Sequence, residues 1–162
     1  MIKTILSSSL IALLLGGCQQ ENDVADNSTN TKHDHQAHHH GLLNIESVGN
    51  AAPAPMVTLN AVEDSMNGWN LHIQVENFTF TPEHVNSEVK VGKGNIIEGH
   101  AHLYVDNYQW ARLYSPWYHL KNLTPGEHIL RVSLNTNDHA IWASADEEIS
   151  SSVTIFQKTL TE

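Results

Sequence analysis

The chain has 162 residues, 8 Lys+Arg against 18 Asp+Glu, a formal net charge of -10, 12 His and 1 Cys. Basic residues this few and this scattered exclude a nucleic-acid groove, which needs clustered lysine and arginine. The length fits one globular domain, and a single cysteine excludes a disulfide framework within the chain.

Met1 to Leu15 carries one early positive charge at Lys3 and the apolar run Leu10-Ile11-Ala12-Leu13-Leu14-Leu15. That run is too short to span a bilayer as a helix and reads as a secretory signal over residues 1–17. Leu15-Gly16-Gly17-Cys18 resembles the bacterial lipobox. The resemblance implies that Cys18 is acylated and leaves no thiol for a ligand or a nucleophile. Gln19, standing where an aspartate would retain such a protein, implies the outer membrane, with the domain facing the periplasm.

Residues 18–55 are predicted to be a flexible tether, because Asn, Asp, Ser, Thr, His, Gly, Ala and Pro dominate and cannot bury enough surface to offset ordering entropy. Within it, His33-Asp34-His35-Gln36-Ala37-His38-His39-His40 gathers 5 of the 12 histidines. Such a tract reads as weak, promiscuous metal capture through His33, His35, His38, His39 and His40.

Residues 56–162 are predicted to form the folded domain. Val57 to Val62 reads as a strand, and Asn67-Gly68 as a two-residue hairpin signal. Trp69, Leu71, Ile73 and Val75 then alternate with Asn70, His72, Gln74 and Glu76, which sets His72 on a polar, solvated face. Phe78 and Phe80 continue the apolar face until Pro82, and residues 85–95 read as a long loop. Glu98-Gly99-His100-Ala101-His102-Leu103-Tyr104-Val105-Asp106 alternates with the two-residue period of a strand. His100, His102 and Tyr104 therefore share one face, with the two imidazoles roughly 7 Å apart at the backbone. That spacing lets both rings converge on one metal ion.

Asp106-Asn107 reads as a turn into a strand over residues 108–114, and Pro116 interrupts the ladder after it. Thr124-Pro125-Gly126 is a turn, followed by the alternating His128, Leu130, Val132 and Leu134. Asn135 to His139 is a polar loop, and a last strand runs from about residue 149 to residue 156. About seven strands without an amphipathic helix predict an all-β, antiparallel β-sandwich of the immunoglobulin or cupredoxin kind.

Gly99-His100-Ala101-His102-Leu103-Tyr104-Val105-Asp106, Pro116-Trp117-Tyr118-His119-Leu120, Leu123-Thr124-Pro125-Gly126-Glu127-His128 and Asn137-Asp138-His139 together resemble a group of exported bacterial domains built around a GHHHL strand. The likeness covers roughly residues 70–156 and implies a sandwich with a histidine site. More loosely, the chain is similar to the cupredoxin-like copper proteins of the periplasm. It lacks the strand cysteine of a blue-copper site, so electron-transferring copper is not expected.

The candidate ligands are His100, His102, His139 and His119. His139 is placed by a loop able to fold back over a sheet edge, with Asp138 available to orient its second nitrogen. The competing role for His139 is to cap its own loop, and for His119 to pack inside. His128 suits a hydrogen-bonded structural role, Met56 and Met66 suit strand ends, and Trp117 and Trp142 suit core or rim. No Gly-rich phosphate loop, nucleophile elbow or HExxH helix is present, so no enzyme is expected. A copper-zinc superoxide dismutase shares the His-x-His strand, but its disulfide pair and second histidine cluster are missing here. The expected cofactor is copper, with zinc as the alternative. The expected function is copper binding or homeostasis by a membrane-anchored periplasmic lipoprotein. A structural or interaction module with incidental histidines is the contrasting class.

Overall fold

The computed structural model describes residues 41–48, 53–88 and 90–159. The signal segment, Cys18 and the tether histidines His33, His35, His38, His39 and His40 lie outside those residues.

Alternation decides the layers. In β3 (Trp69–Glu76), Trp69, Leu71 and Ile73 turn inward and are buried, while Gln74 is exposed and His72 half-buried on the opposite face. β3 pairs antiparallel with β2 (Met56–Glu63) and with β7 (Trp117–Leu120), completing the smaller sheet. The larger sheet is centred on β5 (Ile97–Val105) and β8 (Gly126–Asn135), which run antiparallel. The other edge of β5 takes β4 (Phe78–Phe80) in parallel and then β6 (Tyr108–Leu113) in antiparallel register. β8 carries β11 (Ser150–Gln157) and, at its end, β9 (Ile141–Ser144). β9 in turn pairs in parallel with β1 (Leu42–Asn44) and antiparallel with β10 (Glu147–Glu148).

The protein is therefore an all-β sandwich, as its sequence predicts. Among the described residues it has eleven strands rather than about seven, and the two parallel pairs make it a mixed rather than a purely antiparallel one. Leu71, Ile73 and Leu120 from the smaller sheet share one apolar core with Leu103, Leu130, Val132 and Leu134 from the larger, all fully buried. Each such side chain contributes about 1.5–3 kcal/mol by leaving water.

The turns obey backbone sterics. Asp106 and Asn107 both take positive φ, 51° and 70°, as a two-residue hairpin between paired Val105 and Tyr108 requires. Asn67-Gly68 departs from expectation. The ladder closes at Glu63 opposite Trp69, so residues 64–68 form a longer loop. The Asp64 carboxylate organises it by accepting the Met66 amide at 2.9 Å, the largest of the bonds that lower its pKa. Gly68 is required there, at φ 85°, since a Cβ would stand 2.3 Å from the Leu120 carbonyl oxygen.

One boundary needs correction. Leu42–Asn44, expected within the 18–55 tether, pairs with β9, and Ile45 just after it is 6% exposed within the core. Ordered, packed structure thus begins before residue 56.

Candidate metal centre

β5 is buried on both faces, which is unusual for a strand so polar on one side. Its Ala101, Leu103 and Val105 stand opposite Leu134, Val132 and Leu130 of β8 and fill the core. On the other face, His100 and His102 stand opposite Asn135 and Ser133, and all four are fully buried. Burying polar groups at this density is tolerable only where they bond to one another or to an ion. Ser133 donates to the Asn135 side-chain oxygen at 2.8 Å, fixing the floor of the site. Tyr114 leans over His100, with ring centroids 5.4 Å apart.

The loop after β8 supplies the third imidazole. It is closed by the Thr136 amide donating to the Ala140 carbonyl at 2.8 Å and the His139 amide donating to the Thr136 carbonyl at 3.0 Å. His139 takes φ 72°, a left-handed conformation to which histidine is less averse than most residues. Its ring returns to β5, where His139 Nδ1 lies 3.1 Å from His100 Nε2, which itself lies 2.9 Å from His102 Nε2. One ligand atom from each of the three histidines can be chosen so that all lie within 4.8 Å of one another.

Neighbouring groups fix which nitrogen faces inward. His139 Nε2 lies 3.0 Å from the Asn86 side-chain oxygen. That oxygen only accepts, so Nε2 carries the hydrogen and Nδ1 presents its lone pair to the centre. The Tyr104 hydroxyl lies 3.5 Å from His102 Nδ1, leaving Nε2 as the inward atom, and the Arg131 guanidinium covers the Tyr104 ring at 4.0 Å. Three ring nitrogens this close can share a cation far more readily than they can share hydrogens, because each offers one lone pair or one hydrogen. Ligands held at about 2.0–2.1 Å in a tetrahedral arrangement stand about 3.3 Å apart, so the 2.9 and 3.1 Å spacings about His100 need to open by a few tenths of an ångström, while the widest separation in the cluster, up to 4.8 Å, has to close.

The other predicted positions separate cleanly. His119 is not part of the centre. It lies on β7 of the smaller sheet, with Nδ1 2.8 Å from the side-chain oxygen of Asn70, its partner across the ladder. His72 is on the same sheet and stacks on Trp117 at 3.9 Å between ring centroids. Met56 and Met66 are exposed on that sheet and its loop, and Trp142 is fully buried in the core. His128 has the structural role its pattern implies. Its Nε2 meets the Thr124 carbonyl and its Nδ1 the Asp106 carboxylate, each at 2.7 Å. Both partners accept, so the ring is held protonated and its pKa is raised, first by Thr124 and then by Asp106.

Asp138 does not orient His139. Its carboxylate takes the Thr136 hydroxyl and, at 2.9 Å, the Lys90 ammonium. Burial pushes this carboxyl up, but those two contacts outweigh burial and its pKa is lowered. Asn86 has the orienting role instead, and nothing in a lone asparagine 53 residues upstream signals it. Glu98, only 4% exposed one strand repeat before His100, is the other polar residue that the pattern left unassigned.

No protein-family model matches this chain, and comparison with curated proteins and with solved structures finds no match. The fold and the site define the chain only as an all-β sandwich with a buried three-histidine cluster able to hold a metal ion.

Proposed function

We propose that this protein is a copper-binding lipoprotein of the periplasm, anchored in the outer membrane through Cys18, that stores, delivers or detoxifies the metal. The observation that carries the reading is the convergence of His100, His102 and His139 with the first two fully buried. Histidines gathered incidentally on a surface have no reason to be sealed in together.

Copper is preferred because Cu(II) leads the affinity order for nitrogen donors, and the cluster offers three imidazoles and no thiolate. Zinc is the second reading, favoured by the same observation, since three histidines with one open position also suit Zn(II). The lipobox-like Leu15-Gly16-Gly17-Cys18 supports the anchor. Palmitate labelling that Cys18→Ala abolishes would verify it, and a cytoplasmic wild type would refute it.

Calorimetric titration with Cu(II), Zn(II) and, under reductant, Cu(I) tests the metal reading. The background is the full chain with the five tether histidines replaced by asparagine. One tight equivalent is expected, lost in His100→Ala and in His102→Ala and retained in His119→Ala and His72→Ala. Saturation at about 100 times the dissociation constant should raise stability by about 2.7 kcal/mol. Binding no tighter than about millimolar for every ion would leave the interaction module standing.

A further inference from the structure

A cation bound by His100 and His102 must reach two fully buried rings, which raises the question of where a hydrated ion first meets the protein. Strand alternation sets Glu98 on the His100 face, two residues away and therefore about 7 Å along the strand. Its side chain is 5% exposed, and its only ion-pair partner among the described residues is His84, whose Nδ1 lies 2.5 Å from Oε1. The same oxygen accepts from the Asn137 amide group at 3.3 Å, and Asn137 belongs to the loop that carries His139. Glu98 also lines an open cleft of about 670 Å³, with His84, Glu83, Thr79, Thr81 and Gly92 among the other lining residues.

Three properties make this pair a receiving site rather than a structural ion pair. The cleft is lined by the carboxylates Glu83 and Glu98 against one cation, Lys93, and among the described residues neither lysine nor arginine pairs with Glu98, so its foot keeps a negative potential that concentrates cations there. A carboxylate oxygen and an imidazole nitrogen are both good donors to a divalent first-row ion. Their partner is reachable, because the His84 side chain is 40% exposed while the three-histidine cluster offers only the half-buried His139. Gly92 keeps the site in shape, since a Cβ there would stand 2.4 Å from Glu98 Oε2.

We propose that His84 and Glu98 form a transient loading site, which takes a divalent metal ion from solution and passes it to His100, His102 and His139. This rests on the metal reading above. The ion exchanges waters for the carboxylate and the imidazole in the cleft as the hydrogen shared by His84 Nδ1 and Glu98 Oε1 is released to solvent. It then exchanges those donors for the buried rings and the hydrogen bond re-forms, so no charge is buried unpaired on the way.

The test is the rate of loading, not the affinity. Co(II), whose visible absorption reports nitrogen coordination, is mixed in stopped flow with the full chain carrying asparagine at the five tether histidines. Glu98→Gln and His84→Ala are each expected to slow loading at least tenfold at low salt. Final stoichiometry and spectrum should be those of the unmodified background. Raising salt should slow the background more than it slows Glu98→Gln, because screening removes the attraction the variant already lacks. Unchanged rates in both variants overturn the loading site. A changed final spectrum or stoichiometry in both variants also overturns it, since Glu98 would then act by holding the His139 loop. A background that takes up no Co(II), Cu(II) or Zn(II) overturns the metal reading itself, and the loading site with it.

Discussion

At the scale of single residues, the histidines of the cluster and His128 respond to opposite ends of the pH scale. The inward lone pairs of His100, His102 and His139 exist only on neutral rings, so acid opposes metal binding there. His128 is different, for its bonds to Thr124 and Asp106 are made by a protonated ring. Its pKa is raised above the ordinary 6.5. A raised folded-state value means the stabilisation is complete below about 6.5 and is lost as pH climbs through the folded value. The Asp106 carboxyl is lowered from 3.8, first by His128, so its share is present above that value and lost in acid. His128→Gln should therefore lower the thermal midpoint more at pH 5.5 than at pH 8.5. An equal loss at both would show that the ring contributes by packing alone. The hydrogen-bonded role of His128 is legible in the sequence but its partner is not, because Asp106 and His128 lie 22 residues apart and meet when two turns come together.

Among elements, β5 and its approach to β8 matter most for the site. The alternation of Ala101, Leu103 and Val105 with His100, His102 and Tyr104 was plain in the sequence, and so was the face each set would take. What the pattern does not carry is which strands pair with β5, or the bulge between Leu103 and Tyr104 where the pairing with β6 shifts. The same limit explains the strands that were missed. β9 is four residues and β10 two, and both are defined by long-range partners rather than by their own periodicity. Gly99 shows how tightly β5 and β8 approach, since a Cβ there would lie 1.9 Å from the Asn135 carbonyl oxygen. Gly99→Ala must push the strands apart beside His100, and overpacking of this kind costs about 1–3 kcal/mol. Urea denaturation should show that loss and calorimetry a weaker metal site. Gly41→Ala, with nothing within 4 Å of its added carbon, should show neither.

For the whole molecule, the separation of site from core follows from using the two faces of one sheet. Leu103 and Val105 on the inner face share the apolar core with Leu71 and Ile73 of β3, while His100 and His102 on the outer face meet His139, so the centre can vary without rebuilding the core. His119 lies between Tyr118 and Leu120 in an aromatic segment that suits a fourth ligand or a packed interior residue alike. Only the topology reveals that its strand belongs to the other sheet. The domain boundary was hidden for a related reason, as Leu42 to Ile45 looks like an isolated apolar patch until β9 is placed beside it. A truncation beginning at Met56 loses Ile45 from the core and should be less stable by about 1.5–3 kcal/mol in urea. One beginning at Gly41 should match the longer protein, and equal stability of the two truncations would show that β1 contributes nothing.

β1 also has a mechanical consequence. The Gly41 carbonyl accepts the Ile141 amide at 3.0 Å, and three residue pairs then join β1 to β9. Ile141 is where the ligand loop ends, one residue after Ala140 closes it. A pull arriving along the chain before Gly41 is thus handed first to the strand that leaves the His139 loop. Tension applied at Gly41 would be felt at His139 before it was felt by the hydrophobic interior.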